Sequence, residues 1–241
     1  MDRRHGVRSL VVASYNIHGC VGGDGRCDAG RVARVVNQLA ADVVALQEVE
    51  TWPAREGDFQ KDVLSHLPGL SAVWGPTMPR RRGHFGNAVL TRLPVIAVRK
   101  IDLTFASREP RAALDVDLDA DGTKVRVIAT HLGLLPSERR HQVQRILEAV
   151  SQDEDGVTIL LGDINEWLVY GRPLRWLHAR FGHCRGERSY PAAFPLFALD
   201  RIWVHPSRAL VDFAAHVTPE SRTASDHLPV RAEIALPAGS D

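Results

Sequence analysis

Polar residues lie at one end of four apolar runs in this chain, and this pattern restricts the possible folds more than any other feature. Runs 11–15, 43–47 and 157–161 lead into Asn16, Glu48 and the segment Gly162-Asp163-Ile164-Asn165, and Ser225-Asp226-His227 directly precedes a run that starts at Leu228. Short apolar runs of this kind are typical of buried strands. A rigid sheet holds the side chains at its strand ends in defined positions. The pattern therefore predicts sheets whose edges gather polar groups.

The polar groups at these strand ends are mostly oxygen donors. They are Asn16, Glu48, Asp163, Asn165 and Asp226, with one imidazole from His227. Carboxylate and amide oxygens suit a hard cation such as Mg²⁺, and a cation held beside such groups suits phosphate hydrolysis. Each motif alone has a simpler explanation, because Asp-x-Asn after a strand is often a turn and an Asp-His pair is often part of a loop. Their combined order favours a hydrolytic site.

Length and composition are those of an ordinary globular protein. The 241 residues suffice for one large domain or two small ones, and 44% of them are hydrophobic and 24% charged. No linker, low-complexity tract or charge block divides the chain, so we expect a single domain over residues 1–241, with a frayed tail over 235–241. The net charge of +1 provides no overall attraction to nucleic acids or acidic membranes, so any such attraction must be local.

Targeting signals and metal-binding cysteines are not evident. No apolar stretch approaches the length of a membrane span, and residues 1–5 lack the apolar core of a signal peptide, so we expect a cytoplasmic location. The chain has three cysteines, an odd number that cannot all pair within it. Cys20 and Cys27 flank a glycine-rich loop, but no second Cys/His pair at ligand spacing accompanies them. We therefore expect reduced thiols and no zinc site.

The order of predicted elements indicates two sheets packed together with helices outside. Asp28 is a candidate N-cap of a helix with apolar residues at helical spacing, a second helix is predicted over residues 58–67, and a long helix is predicted from Pro136. Extended runs fill residues 72–130, and Asp121-Gly122 predicts a tight hairpin turn. Further strands are predicted over 200–204, 210–216 and 228–234. Strand-helix-strand units therefore flank a β-rich middle.

Seven short motifs occur along the chain in a fixed order. They are Ser14-Tyr15-Asn16, Leu46-Gln47-Glu48-Val49, Gly86-Asn87-Ala88-Val89-Leu90, Thr130-His131-Leu132, Gly162-Asp163-Ile164-Asn165, Leu199-Asp200-Arg201-Ile202 and Ser225-Asp226-His227. This ordered set resembles the endonuclease/exonuclease/phosphatase superfamily of Mg²⁺-dependent phosphoesterases. That group includes deoxyribonucleases, abasic-site endonucleases, neutral sphingomyelinases and inositol polyphosphate 5-phosphatases. The resemblance implies a four-layer α/β sandwich, with two mixed β-sheets face to face and helices outside.

The resemblance also implies a role for each matching residue. The metal ligands are Asn16, Glu48 and Asp226, with Mg²⁺ as the cofactor and Mn²⁺ as a substitute. The catalytic residues are His131, Asp163, Asn165, Asp200 and His227, of which Asp200 orients His227 and either His227 or Asp163 accepts the proton of the attacking water. The substrate-binding residues are Asn87 and Arg111, with Arg108 as a rival of Arg111.

The substrate is less defined than the reaction. The run Arg80-Arg81-Arg82 is able to hold a nucleic-acid backbone, an anionic lipid surface or a polyphosphate, or else it is a solvated turn. A duplex nuclease usually has a wider basic face. We therefore expect a monomeric hydrolase of a small or lipid phosphodiester, in the second case with peripheral lipid contact. A nuclease is the alternative, and an inactive member that only binds phosphorylated ligands or a protein is a third class.

Overall fold

A computed structural model describes residues 9–51, 67, 69–80, 83–150 and 156–237. Within these ranges the strands are β1 (Ser9–Asn16), β2 (Val43–Thr51), β3 (Ser71–Arg80), β4 (Gly83–Thr91), β5 (Val95–Asp102), β6 (Ala112–Ala120), β7 (Thr123–His131), β8 (Val157–Asp163), β9 (Asp200–His205), β10 (Leu210–Ala215) and β11 (Val230–Ala235). The α-helices are α1 (Ala29–Gln38), α2 (Pro136–Val150), α3 (Arg172–Phe181) and α4 (Ser221–Ala224). The predicted helix over residues 58–67 falls outside the described residues except for Leu67. So do residues 81 and 82 of the arginine run and the last four residues of the predicted tail.

Six strands form one mixed sheet in the order β10-β11-β1-β2-β4-β3. β1 and β2 are parallel, whereas the other neighbours in this sheet are antiparallel. β11 starts at Val230, two residues later than predicted, because Pro229 has no N–H to donate to a strand ladder. The parallel pairing of β1 and β2 places Asn16 beside Gln47, the residue before Glu48.

Five strands form the second mixed sheet in the order β5-β6-β7-β8-β9. Asp121 and Gly122 both have positive φ, 50° and 86°, as a tight turn between antiparallel β6 and β7 requires. This confirms the predicted hairpin. β7 and β8 are parallel and pair His131 with Asp163, and antiparallel β8 and β9 pair Asp163 with Asp200. Three residues of the predicted site therefore lie side by side at one end of this sheet.

The two sheets and the helices form four layers around three apolar cores. One core lies between the sheets, and Val12 and Val43 meet Val127 and Ile159 in it. A second core packs α1 on the six-stranded sheet, and a third packs α2 and α3 on the five-stranded sheet. The predicted four-layer α/β sandwich is therefore confirmed.

Helices α1 and α2 begin and pack as their sequences predict. Asp28 precedes α1, and its side chain accepts a hydrogen bond from the backbone N–H of Arg31, so it is the N-cap. Val143 and Ile146 of α2 are buried against the five-stranded sheet. No helix in the described part of the chain combines the length and apolar character needed to cross a membrane.

Candidate active site

The carboxylate of Asp163 lies at the centre of a buried polar cluster where the two sheets meet. Its Oδ2 atom accepts a hydrogen bond of 3.1 Å from the side-chain amide of Asn16, which belongs to the other sheet. The Nε2 atoms of His131 and His227 lie 3.5 and 3.7 Å from the same oxygen. One carboxylate oxygen is therefore surrounded by three side chains, which come from β1, from β7 and from the loop before β11.

Glu48 reaches this cluster because the backbone of β2 bulges. The β2–β4 register shifts between Leu46 and Val49, and Glu48 has a φ of 58°, in the left-handed region that residues other than glycine seldom adopt. The amide of Asn16 donates a hydrogen bond of 3.0 Å to Oε1 of Glu48, and Nε2 of His131 lies 4.0 Å from that oxygen. Strained backbone of this kind is common at functional sites.

His227 and Asp200 form a tight pair behind Asp163. The Nδ1 atom of His227 lies 2.8 Å from Oδ2 of Asp200, whose carboxylate is fully buried. The Nε2 atom of His227 therefore faces Asp163 and lies 3.7 Å from its Oδ2 atom. A carboxylate on one ring nitrogen sets the orientation of the imidazole and leaves the other nitrogen for chemistry.

Burial and neighbouring charges move the pKa values of the cluster apart. Burial raises the pKa of Asp163 to about 7. Burial alone lowers the pKa of His227, but the carboxylates of Asp200 and Asp163 outweigh it and raise that pKa to about 10. Burial, followed by the charges of Arg111 and His227, lowers the pKa of His131 well below its usual range. Opposed shifts within one cleft are a mark of acid–base sites.

Asn165 and Asn87 are held by backbone groups at the edges of the cluster. The backbone N–H of Asn165 donates to Oδ1 of Asp163 over 2.9 Å, and its side-chain amide donates to the carbonyl oxygen of Leu132 over the same distance. The amide of Asn87 donates to the carbonyl oxygen of Ala112 over 3.0 Å, which ties the two sheets together. Both predicted residues are buried, and their roles toward a substrate stay predictions.

The two candidate arginines lie in different surroundings. The side chain of Arg111 is largely buried, forms a 3.0 Å ion pair with Glu109, and is close enough to His131 to lower its pKa. Its Nε atom has no hydrogen-bond partner among the described residues. Arg108 is exposed. The structure thus places Arg111 near the cluster, and its contact with a phosphate stays a prediction.

Asp226 is placed at the rim of the site. Its carboxylate is partly exposed, lies 3.8 Å from Nδ1 of His18, and accepts a hydrogen bond of 3.3 Å from Ser225. The Ser225 hydroxyl also donates to the backbone carbonyl of Asn16 over 2.7 Å, so Asp226 is adjacent to the Asn16 segment. A role of Asp226 as a metal ligand remains a prediction.

Two sets of side chains are candidates to hold a metal ion. Asp163, Asp200 and His227 offer ligand atoms within 4.8 Å of one another, but Asp200 and His227 already bind each other. Glu48 and Asn16 instead supply a carboxylate and an amide, and the Glu48 side chain is 24% exposed to solvent. These oxygen donors fit Mg²⁺, which is bound by few protein oxygens and retains several waters.

An aromatic group next to His227 was not identified from the sequence as part of the site. The ring of Tyr190 lies 4.8 Å from that of His227, centroid to centroid. Trp167 contacts Tyr190 and Phe197 edge to face, with centroids 5.7 and 4.8 Å apart. The sequence contains one indication of this group, since Trp167 lies only two residues after the predicted site residue Asn165, on the loop that leaves β8.

The chain is similar to proteins of one family over most of its length. Residues 13–227 match the Endonuclease/Exonuclease/phosphatase family. The chain is 31% identical to the Uncharacterized protein YbhP of Escherichia coli strain K12, over 253 aligned residues that cover 95% of this chain and 97% of that protein. The sequence similarity thus extends from β1 to the Ser-Asp-His motif.

Solved structures with the same fold are also found. An endonuclease/exonuclease/phosphatase from Beutenbergia cavernae is 26% identical, with a TM-score of 0.74 over 95% of this chain and 72% of that chain. The mannosyl-6-phosphatase Bt3783 of Bacteroides thetaiotaomicron is 19% identical, with a TM-score of 0.75 over 94% of this chain and all of that chain. At that identity the second likeness shows the fold alone.

Proposed function

The chain belongs to the endonuclease/exonuclease/phosphatase family, and within it we propose that the protein is a single-domain, Mg²⁺-dependent phosphodiesterase. Members of this family are hydrolases that act on phosphoester bonds. The proposed substrate is a small or lipid phosphodiester. The observation that carries the proposal is the Asp163 carboxylate, shared by Asn16, His131 and His227, with Asp200 bound to the far side of His227.

The arrangement meets the needs of phosphodiester hydrolysis. Such a reaction requires a positioned water and donors for the oxygens that gain negative charge in the transition state. Asp163 and His227 are the two groups placed to hold the attacking water and to exchange a proton with it. His131 and Arg111 are the proposed donors for the non-bridging oxygens of the phosphate.

Asn165 and Asp200 act by positioning. The hydrogen bond from Asn165 to the Leu132 carbonyl holds its amide beside Asp163, where it orients the scissile phosphate. Asp200 holds His227 in one orientation. Glu48 and Asn16, with Asp226 at the rim, would hold the Mg²⁺ ion, which when bound polarises the phosphoryl group and neutralises its charge.

Exposed apolar side chains around the site support a small or lipid substrate over a nucleic acid. Three loops leave the sheet at the site end, after β7, after β8 and before β9, and each carries exposed apolar residues. We refer to these residues as the apolar rim: Leu134, Trp167, Leu168, Val169, Tyr170 and Phe194. Apolar and aromatic side chains suit contact with a lipid interface, whereas a duplex nuclease presents basic groups to phosphates.

Metal-dependent turnover of an aryl phosphodiester tests the proposal. We expect hydrolysis of bis(p-nitrophenyl) phosphate with Mg²⁺ or Mn²⁺ and its loss on chelation. Glu48→Gln should weaken the apparent metal affinity, so that excess metal restores part of the rate. Glu50→Gln, in the same strand, is the matched control and should retain the wild-type metal dependence. Wild-type metal affinity in Glu48→Gln would remove Glu48 from the metal site, and metal-independent turnover would overturn the proposal.

Salt dependence separates the two substrate classes. An enzyme of small or lipid diesters engages few phosphates, so its KM should vary little with salt. A nuclease releases counterions at each contacted phosphate, and its affinity for DNA falls by orders of magnitude over a modest rise in salt. Cleavage of plasmid with a steep salt dependence, and no turnover of phospholipid vesicles, would favour the nuclease.

A further inference from the structure

A cavity of about 500 Å³ lies on the outer face of the five-stranded sheet, next to the buried polar cluster around Asp163, which we call the catalytic cluster. We call this cavity the outer cavity. Trp167 and Phe197 form part of its wall and contact each other. Trp167 also contacts Tyr190, which in turn contacts His227. Its size is that of a pocket for a small organic ligand. These ring contacts therefore connect the outer cavity to the proposed active site, and none of Asp163, Asp200 and His227 lines the cavity.

Arg201 lies at the inner wall of the outer cavity. It follows Asp200 in β9, and successive residues of a strand point to opposite faces, so Asp200 faces the catalytic cluster and Arg201 the cavity. The residue is only 5% exposed. Burial lowers the pKa of its guanidinium from the usual value, since the charged form is separated from water.

The guanidinium of Arg201 lacks the partners that a buried charge normally has. Its Nε atom has no hydrogen-bond partner among the described residues. Nη1 donates to the carbonyl oxygen of Cys184 over 3.5 Å, a long contact for a hydrogen bond. No carboxylate of the described residues lies within ion-pair distance of it, and the groups that favour its charge are the neutral thiol of Cys184 and the more distant Glu166. Buried charges are usually paired, so an unpaired one indicates a missing anion.

The other charged groups of the outer cavity add to its positive character. Arg175 and Arg188 line it, are exposed, and have no carboxylate partner within the described part of the chain. Arg185 also lines it and is paired with Glu187 at 3.3 Å. Among the residues that the structure describes, one carboxylate lines it.

That carboxylate is already neutralised. It belongs to Glu166, whose Oε2 atom accepts a 3.2 Å bond from Arg139, both side chains being buried. The outer cavity thus keeps an excess of positive charge.

We propose that the outer cavity binds the phosphate group of an organic phosphate, with Arg201, Arg175 and Arg188 as its ligands. A guanidinium presents a fork of N–H donors that matches phosphate oxygens, and the buried one gains the most from an anion. The aromatic side chains of Trp167, Tyr170 and Phe197 give the organic part of the ligand an apolar wall. This inference does not rest on the proposed hydrolysis, because none of these residues belongs to the catalytic cluster.

Thermal unfolding with and without inorganic phosphate, in EDTA, tests the proposal. Phosphate should raise the Tm of the wild type beyond sodium chloride of equal ionic strength, because a ligand that binds only the folded state stabilises it. Arg201→Met should lose this response, with an affinity for phosphate at least about tenfold lower. Without phosphate the same variant should have a higher Tm than the wild type, because an unpaired buried charge is removed.

Three further variants keep the test decisive. Arg175→Gln/Arg188→Gln changes only exposed residues and should also weaken the phosphate response, even if Arg201→Met fails to fold. Arg208→Met removes an exposed arginine that does not line the cavity and should respond as the wild type does. His131→Ala, in the catalytic cluster, should retain the response. The proposal is overturned if phosphate raises the Tm of the Arg175→Gln/Arg188→Gln variant as much as that of the wild type. It is also overturned if phosphate no longer raises the Tm of His131→Ala but still raises that of Arg201→Met.

Kinetics then identify where the bound phosphate comes from. If the outer cavity holds a second phosphate of the substrate, Arg201→Met should raise KM for a diester that carries an extra phosphate group and leave kcat unchanged. A diester with a single phosphate should show no change. If KM is the same for both substrates while phosphate still raises the Tm of the wild type, the cavity serves a separate organic phosphate.

Discussion

Asp115 and Asp163 are both buried aspartates of the five-stranded sheet, and each is 1% exposed. They differ in their hydrogen-bond partners and in the direction of their pKa shifts. Asp115 lies in the middle of β6, on the face that packs toward α2. Asp163 ends β8 at the site. For Asp115, guanidinium hydrogen bonds overcome the effect of burial and lower the pKa, whereas for Asp163 burial dominates and raises the pKa to about 7.

The carboxylate of Asp115 is fully bonded. Arg126 donates to its two oxygens over 3.0 and 2.8 Å, and Arg99 donates to them over 2.9 and 3.0 Å. Arg99 also binds Asp117 over 2.9 and 2.7 Å. Every lone pair in the plane of the Asp115 carboxylate therefore has a charged donor.

The carboxylate of Asp163 is only partly bonded. Neutral amide groups of Asn165 and Asn16 donate to it over 2.9 and 3.1 Å, while His131 and His227 stay 3.5 and 3.7 Å away. A charge that stabilises the fold is best saturated with donors, since buried groups without partners are costly. A charge that acts on a substrate must keep bonding capacity for it. The difference between the two aspartates supports the proposed role of Asp163.

Asp163→Asn should produce the largest effect. We expect turnover of the aryl phosphodiester to fall by about 10³–10⁴-fold, because positioned acid–base groups contribute about this much and act together. The Tm should stay at or above the wild-type value, since the amide no longer carries a buried charge. Steady-state kinetics and thermal unfolding measure the two quantities. Near wild-type turnover would exclude Asp163 from the reaction.

Asp115→Asn is the matched substitution in the same sheet and should show the opposite pattern. Removing one partner of a buried ion pair leaves the guanidinium of Arg126 poorly compensated, so we expect a loss of about 3 kcal/mol in the free energy of unfolding. The kcat of the folded fraction should stay close to that of the wild type. Urea denaturation gives the stability. A loss of kcat in molecules that are still folded would show that Asp115 contributes to the reaction and not only to stability.

Asp200→Asn should have a smaller effect on catalysis than His227→Ala. The amide still fills the space next to Nδ1 of His227 but no longer stabilises a positive charge, so we expect a loss of about 10–100-fold, against about 10³-fold for the histidine variant. Comparison of kcat for the two variants provides the check. Full activity in Asp200→Asn would show that the 2.8 Å contact does not contribute to the reaction.

The pH dependence of stability should show the smallest effect, and it should be confined to acid. The folded-state pKa of Asp115 is below its unfolded value, so its contribution is fully present above about pH 4, the unfolded value, and is lost as the pH falls through the folded value. The Tm difference between the wild type and Asp115→Asn should therefore be constant from pH 5 to 7 and narrow below about pH 4. A difference that narrows on the alkaline side instead would assign the stabilisation to another group.

The residues of the buried polar cluster could be predicted from the sequence because each one lies at or next to a strand end. Asp163 and Asn165 follow an apolar run directly, and Glu48 ends another. The order of the motifs supplied the fold and the sandwich layers. The strand ends at the site were predicted to within a few residues, since burial on both faces makes these strands nearly continuous apolar runs.

Other features could not be predicted because they depend on which strands become neighbours. Nothing near Asp115 in the sequence indicates that Arg99 and Arg126 lie on both sides of it, since this follows from the pairing of β5, β6 and β7. The contact of Tyr190 with His227 joins two loops that are distant in the chain. The bulge that turns Glu48 into the site likewise depends on how β2 pairs with β4, because the register of that pair shifts between Leu46 and Val49.

The sequence by itself determined the layered sandwich, the strand ends and the polar residues that they carry, because hydrophobic periodicity and short motifs are local properties. The tertiary structure alone decided how each charge is satisfied. Asp115 and Asp163 are the same residue type on the same sheet, and Asp200 and Arg201 are neighbours in one strand that face different sites. Their chemistry differs because hydrogen-bond partners and burial are set by contacts between distant segments, which a local pattern does not encode.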